Sequence, residues 1–140
     1  MIKNIHATAV CIDQAAILLL GKPGAGKSDL ALRLIMNKNA VLIADDRVDI
    51  VDENGVFKAF CPQNIKGLLE VRGVGICHFP SIDSAEIKLI AQLIGQNEEI
   101  TRYPEEQTQN LFGAEIPMIK IHPFEASAPD KILAACYQKR

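Results

Sequence analysis

The chain has no tryptophan, and its five phenylalanines and two tyrosines make aromatics only 5% of 140 residues. Any core is therefore built from aliphatic side chains. Hydrophobic residues still supply 49% of the sequence, which excludes general disorder. No apolar run approaches the ~18 residues of a membrane span. The N-terminal apolar stretch is broken by His6, Asp13 and Gln14, which excludes a signal peptide. No basic block occurs and the net charge is −2, so nothing argues for nucleic acid or a membrane surface as partner. The four cysteines, Cys11, Cys61, Cys77 and Cys136, form no C-x-x-C pair and no cluster with histidine at metal spacing. They are expected to be buried free thiols of a reducing cytosol. The length fits one domain with one core. The expectation is a soluble, cytoplasmic, single-domain protein over 1–140.

Against that plain background, Gly21-Lys-Pro-Gly-Ala-Gly-Lys-Ser28 fits G-x-x-x-x-G-K-[ST] without a mismatch. The apolar run Ala16–Leu20 before it reads as a buried strand, and Asp29–Met36 after it reads as a helix. Strand, loop and helix in that order are the context a phosphate-binding loop needs. Gly21, Gly24, Ala25 and Gly26 allow backbone N–H groups to turn around phosphate oxygens, helped by the partial positive charge of the helix N-terminus. Lys27 is expected on the β- and γ-phosphates of ATP, and the Ser28 hydroxyl on Mg²⁺.

The rest of the chain reads as mostly β with two helices. Thr8–Ile12 and Ala16–Leu20 flank Asp13-Gln14 as a hairpin. Leu30, Ala31, Leu34 and Ile35 repeat at helical spacing, and Asn37-Lys38-Asn39 ends that helix. Val41–Ala44 is a short strand. Val48–Val51 and Val56–Phe60 flank Glu53-Asn54-Gly55, a strong hairpin signal. Ile87–Ile94 fits a strand or a helix equally. Ile116–Ile121, between Pro117 and Pro123, is expected at a sheet edge. Ser127 is placed to cap a last helix with Pro129 and Asp130 in its first turn. Residues 96–113 are polar and read as a loop, either mobile beside the site or merely solvated.

Asp45-Asp46 follows the strand Val41–Ala44. A strand after the phosphate-loop helix can end beside the phosphates. One carboxylate could then hold Mg²⁺ or its water, and the other could accept a proton from an attacking hydroxyl. An Asp turn between strands is the plainer alternative. His6 is a lone histidine before a strand, a pattern that is more often structural than chemical. Glu70 and Arg72, two residues apart, would project from one face of a strand, with Gly73 and Gly75 just beyond. A surface ion pair would look the same.

Taken in order, His6, the 21–28 loop, Leu-Ile-Ala-Asp-Asp-Arg-Val at 42–48 and Leu-Glu-Val-Arg-Gly-Val-Gly-Ile at 69–76 resemble the catalytic domain of HPr kinase/phosphorylase. The last segment is similar to that family's own signature, and Ile-Pro-Met-Ile-Lys-Ile at 116–121 to its late strand. The resemblance implies an α/β fold: a phosphate-loop-containing mixed β core with flanking helices, distantly similar to phosphoenolpyruvate carboxykinases. It implies a bacterial ATP- and Mg²⁺-dependent serine kinase acting on HPr, a small phosphocarrier protein of phosphotransferase systems. In the family the same site can remove that phosphate with inorganic phosphate. Carried over, Lys27 and Ser28 bind nucleotide and metal, His6 with Asp45 and Asp46 transfers the proton, Glu70 helps hold the cation, and Arg72 contacts phosphate or organises the site. Arg102 matches a family arginine weakly. The resemblance also favours a strand at 86–93.

Three departures qualify these expectations. The family's additional N-terminal domain has no counterpart in the sequence, which points to a short form. The family's arginine-bearing loop after the late strand is replaced by His122-Pro-Phe-Glu-Ala-Ser-Ala-Pro129, with no arginine between Arg102 and Arg140. That argues for kinase activity exceeding phosphorolysis. Ala7 stands where a glycine commonly follows His6. Family members form hexamers, so a homo-oligomer is compatible with the resemblance. A small-metabolite kinase lacks its paired-arginine lid here, and a non-catalytic nucleotide-binding module would be expected to lose Lys27 or the acid pair.

Overall fold

The computed structural model describes residues 2–138; Met1, Lys139 and Arg140 lie outside them. Strand β9 (Ser84–Leu93) organises the sheet. On one side β3 (Ala15–Leu20) runs parallel to it, with Leu18 opposite Ile90. On the other side its first residues pair antiparallel with β6 (Val56–Phe60), and its last four pair parallel with β11 (Ala114–Ile121). The order β1-β5-β6-β9-β3-β2-β4, with β11 and then β10 added beside β9, makes a nine-stranded sheet. Here β1 is Ile2–His6, β2 Thr8–Ile12, β4 Val41–Ala44, β5 Arg47–Glu53 and β10 Gln107–Leu111. A separate two-stranded sheet joins β7 (Leu68–Val71) to β8 (Gly75–His78).

The expected hairpins form. Asp13 and Gln14 turn β2 into β3 with φ of 48° and 67°. Asn54 and Gly55 turn β5 into β6 with φ of 57° and 86°. Both turns have positive φ at the two central residues, as two-residue hairpins require. The ambiguous 87–94 segment is strand as far as Leu93 and serves two faces: Leu89, Ala91 and Leu93 lie in one apolar cluster, Ile87 and Ile90 in the other, with a register shift between Ile87 and Leu89 switching the face. The first cluster is covered by helices α1 (Lys27–Lys38) and α2 (Ala128–Gln138). The second contains no helical residue and is enclosed by the curl of the sheet itself, from Ala9 and Leu18 to Val48, Ile50, Leu111 and Ile116. Strands buried on both faces explain why β2 and β3 read as unbroken apolar runs.

Two expectations need correction. Strand β11 is not an edge strand, since β10 flanks it as well as β9. Pro117 is tolerated there because pairing with β9 starts only at Met118. Residues 96–113 are not one loop either: Gln107–Leu111 is β10, whose polar side chains face solvent and give no hydrophobic alternation. Ser127 stands directly before α2, and its carbonyl accepts a bond from Lys131 N–H at 2.8 Å. The two helices are tied by the Lys38–Asp130 ion pair.

Candidate active site

Strand β3 delivers the chain to Gly21, and α1 carries it away from Gly26. A side chain at Gly21 would stand 2.9 Å from the Ala25 Cβ and 3.1 Å from the Leu93 Cβ, so the loop can leave the sheet here only without one. Gly24 and Gly26 take φ of 81° and 105°, which aim the loop N–H groups inward. Gly26 caps α1 with no side chain, leaving the first helical N–H groups open to an anion. The Lys27 ammonium rests on the loop's own carbonyls, 2.9 Å from Gly21 O and 3.1 Å from Lys22 O.

Asp45 and Asp46 leave the end of β4 in different directions. Asp45 is 8% exposed. Its Oδ1 accepts bonds from the Ser28 hydroxyl at 2.7 Å and the Thr8 hydroxyl at 2.9 Å, and its Oδ2 lies 3.4 Å from the Glu70 N–H. Three elements, α1, β2 and β7, thus direct donors at one buried carboxylate. Such hydrogen bonding makes an ionised side chain tolerable out of water. Asp46 takes φ of 71°, which turns its side chain out to solvent, where Oδ1 is 4.0 Å from His6 Nδ1. The antiparallel pairing of β4 with β2 creates this meeting point, since it sets Ala44 against Ala9 and so the acids against the start of β2.

Asp46, Glu70 and Arg72 line one cavity of about 360 Å³ with Thr8, Lys27 and Ser28; Asp45 is not in its lining and reaches it only through its bonds to the Thr8 and Ser28 hydroxyls. Its far wall is Phe124, from the loop between β11 and α2. Glu70 and Arg72 do not share a strand face as expected, because β7 ends at Val71 and Arg72 opens the turn to β8, closed by Val74 N–H on Val71 O at 2.9 Å. They reach the same cavity by this turn. Arg102 lies on the exposed segment between β9 and β10 and does not line it. Sequence reasoning missed Thr8, whose signal was a hydroxyl two residues after His6, and Phe124, which carries no motif.

The fit to Mg²⁺ follows from the donors. Among the described residues no group of three or more His, Cys, Asp or Glu side chains is spaced to hold a metal alone. Mg²⁺ takes one or two protein oxygens, waters and substrate phosphates. A carboxylate and a hydroxyl 2.7 Å apart beside a phosphate loop supply such a partial set. Elsewhere, the expectation of four buried thiols holds only for Cys11. Cys61 and Cys136 are half-buried because they pack against the outside of the apolar clusters, and Cys77 because it lies on the separate β7–β8 sheet. Burial still pushes the Cys11, Cys61 and Cys136 thiols up from their usual value.

Residues 2–136 match the family model described as HPr Serine kinase C-terminal domain. The chain belongs to this family. The HPr kinase/phosphorylase of Ralstonia nicotianae is 36% identical over 128 residues, covering 84% of this chain and 39% of the relative. That of Lactobacillus johnsonii is 34% identical over 133 residues, covering 85% and 40%. The chain therefore spans about two fifths of the length of these relatives. The solved structure of the Hpr(Ser) kinase/phosphatase from Coxiella burnetii superposes with a TM-score of 0.85 at 26% identity, covering 99% of this chain and 90% of that one. The mixed α/β architecture with a curled central sheet is thus that of the HPr kinase family.

Proposed function

We propose that this domain transfers the γ-phosphoryl group of ATP to a serine hydroxyl of an HPr-like phosphocarrier protein. The observation that carries the reading is the division of labour between adjacent acids: one buried against Ser28 of the phosphate-loop cavity, one open beside His6 and itself lining that cavity. Lys27 would leave its resting carbonyls to neutralise the β- and γ-phosphates. Asp45, held by Ser28 and Thr8, would hold Mg²⁺ or its water together with Ser28, and Glu70 stands ready to complete that shell. Bound Mg²⁺ supplies charge neutralisation of the phosphates. Asp46, steadied by His6, would take the serine proton as its oxygen attacks phosphorus; the Ser O–P bond forms and the bond to the ADP oxygen breaks. Arg72, at the solvent side, would hold the transferring group by its planar fork.

The whole of 1–140 is taken as one catalytic unit in a cytoplasmic setting, where ATP is plentiful; no helix among the described residues is long and apolar enough to cross a membrane. The test is incubation with labelled ATP, Mg²⁺ and purified HPr. Label on an HPr serine is expected. Label only on small molecules would make the protein a metabolite kinase, and ATP binding without turnover would make it a regulatory module; either result overturns the proposal.

A further inference from the structure

A second cavity, of about 660 Å³, adjoins the other flank of the phosphate loop. In the sheet order, β2 and β4, the latter leading into the acids, lie on one side of β3, while β9 and β11 lie on the other. The second cavity belongs to that other side: Lys22 to Ala25 of the loop meet Gln92 and Ile94 at the end of β9 and Lys120 of β11. Phe124 lines both cavities and is the one aromatic residue in either lining.

Phe124 is 58% exposed, yet its backbone is fixed. Arg33, projecting from α1, donates to the carbonyl oxygens of Pro123 and Glu125 on either side of it. The His122 ring contacts the Glu98 carbonyl at 2.7 Å. The ring edge abuts the helix cap so closely that a Cβ on Gly26 would sit 2.8 Å from Phe124 Cζ. This large apolar ring packs by its edge against the Gly26 cap, and more than half of the residue is open between two cavities. Gln92 Nε2 makes only long contacts, 3.4 Å to Leu20 O and 3.5 Å to Leu93 O, so its amide can re-aim at little cost.

We propose that Phe124 is the stacking platform for the base of a nucleoside triphosphate, with base and ribose in the β9–β11 cavity. The triphosphate would run round the loop to the acids, and the Gln92 amide would offer its donor and acceptor to a purine edge. Apolar lining with a few polar groups and a volume of this order suit a nucleoside. This rests on the reading of the loop as a nucleotide site.

The experiment is calorimetric titration of the wild-type chain, Phe124→Ala, Phe124→Tyr and Lys27→Ala with ATP and with inorganic tripolyphosphate. Truncation of an exposed ring leaves both apolar clusters intact, and thermal melts check this. Base stacking is lost in Phe124→Ala, so ATP affinity is expected to fall roughly tenfold or more while tripolyphosphate affinity stays within about twofold. Phe124→Tyr should retain ATP. Unchanged ATP affinity in Phe124→Ala, or a parallel fall for tripolyphosphate, overturns the platform alone. Wild-type tripolyphosphate binding that Lys27→Ala leaves unaltered, or no binding of either ligand, overturns the phosphate-loop reading and the platform with it.

Discussion

Two neighbouring aspartates with opposite surroundings make the sharpest residue-scale test. Asp46→Asn removes a proton acceptor in solvent, so fold and nucleotide affinity should hold while phosphotransfer slows ~10²–10⁴-fold. Asp45→Asn replaces an acceptor of three bonds in the interior. It should cost stability as well as activity, and it should raise the Mg²⁺ concentration needed for half-maximal rate. If the Asp46 variant keeps a near-native rate while its fold is intact, the open acid is not the base. Lys27→Ala should abolish ATP binding and transfer together, as calorimetry and the HPr assay would reveal; native affinity would discredit the phosphate loop. Thr8→Val tests the third party: a buried carboxylate short of one donor should cost about 1–3 kcal/mol in urea unfolding. The sequence presented the acids as equivalent because residue types carry no burial. Only the φ of 71° at Asp46 separates them, and nothing in Asp-Asp encodes which one turns outward.

At the scale of elements, the parts with a local rule were legible and those fixed by distant neighbours were not. The loop, its strand and its helix could be placed from glycine spacing and periodicity. Both two-residue turns could be placed from polar pairs between apolar runs. Strand β10 could not, since Gln107-Thr-Gln-Asn has no alternation and forms only because β11 offers it an edge. Glu70 and Arg72 reached one cavity by a turn, so their two-residue spacing was informative for a reason other than a shared strand face. The 122–127 loop shows the same limit, for an absence of arginine could be read but the arrival of Phe124 could not. That loop brings no cation to the site, and Arg33 is committed to its carbonyls. Inorganic phosphate attacking a phosphoserine must overcome anionic repulsion, which arginine forks relieve. Kinase turnover is therefore expected to exceed phosphorolysis at equal nucleotide and phosphate. Rapid stoichiometric pyrophosphate from phosphorylated HPr and millimolar phosphate, without ADP, would show that Lys27 and Arg72 suffice.

For the whole molecule, two apolar clusters share one sheet, and the one without helices depends wholly on strand curvature. Leu18 is fully buried in it. Leu18→Ala should cost about 2–5 kcal/mol in denaturant midpoint analysis, because a curled sheet paired on both sides of β3 can relax little into the void. The raised thiols predict slow alkylation of Cys11, Cys61 and Cys136 by iodoacetamide near neutral pH, since the thiolate is the reactive form. Modification of all three at the rate of a free thiol would contradict the burial of Cys11 and the partial burial of Cys61 and Cys136.

Among the described residues, β9 is the one strand with three partners: β3 on one side, β6 and then β11 on the other. Its separation would strand three others at once, including the one that leads into the phosphate loop. The sheet then has no cheap partial opening at its middle. Amide protons of Ile90 and Ala91 should be among the last to exchange with deuterium, at rates set by global unfolding, whereas those of β1 and β10, with one neighbour each, exchange by local fraying.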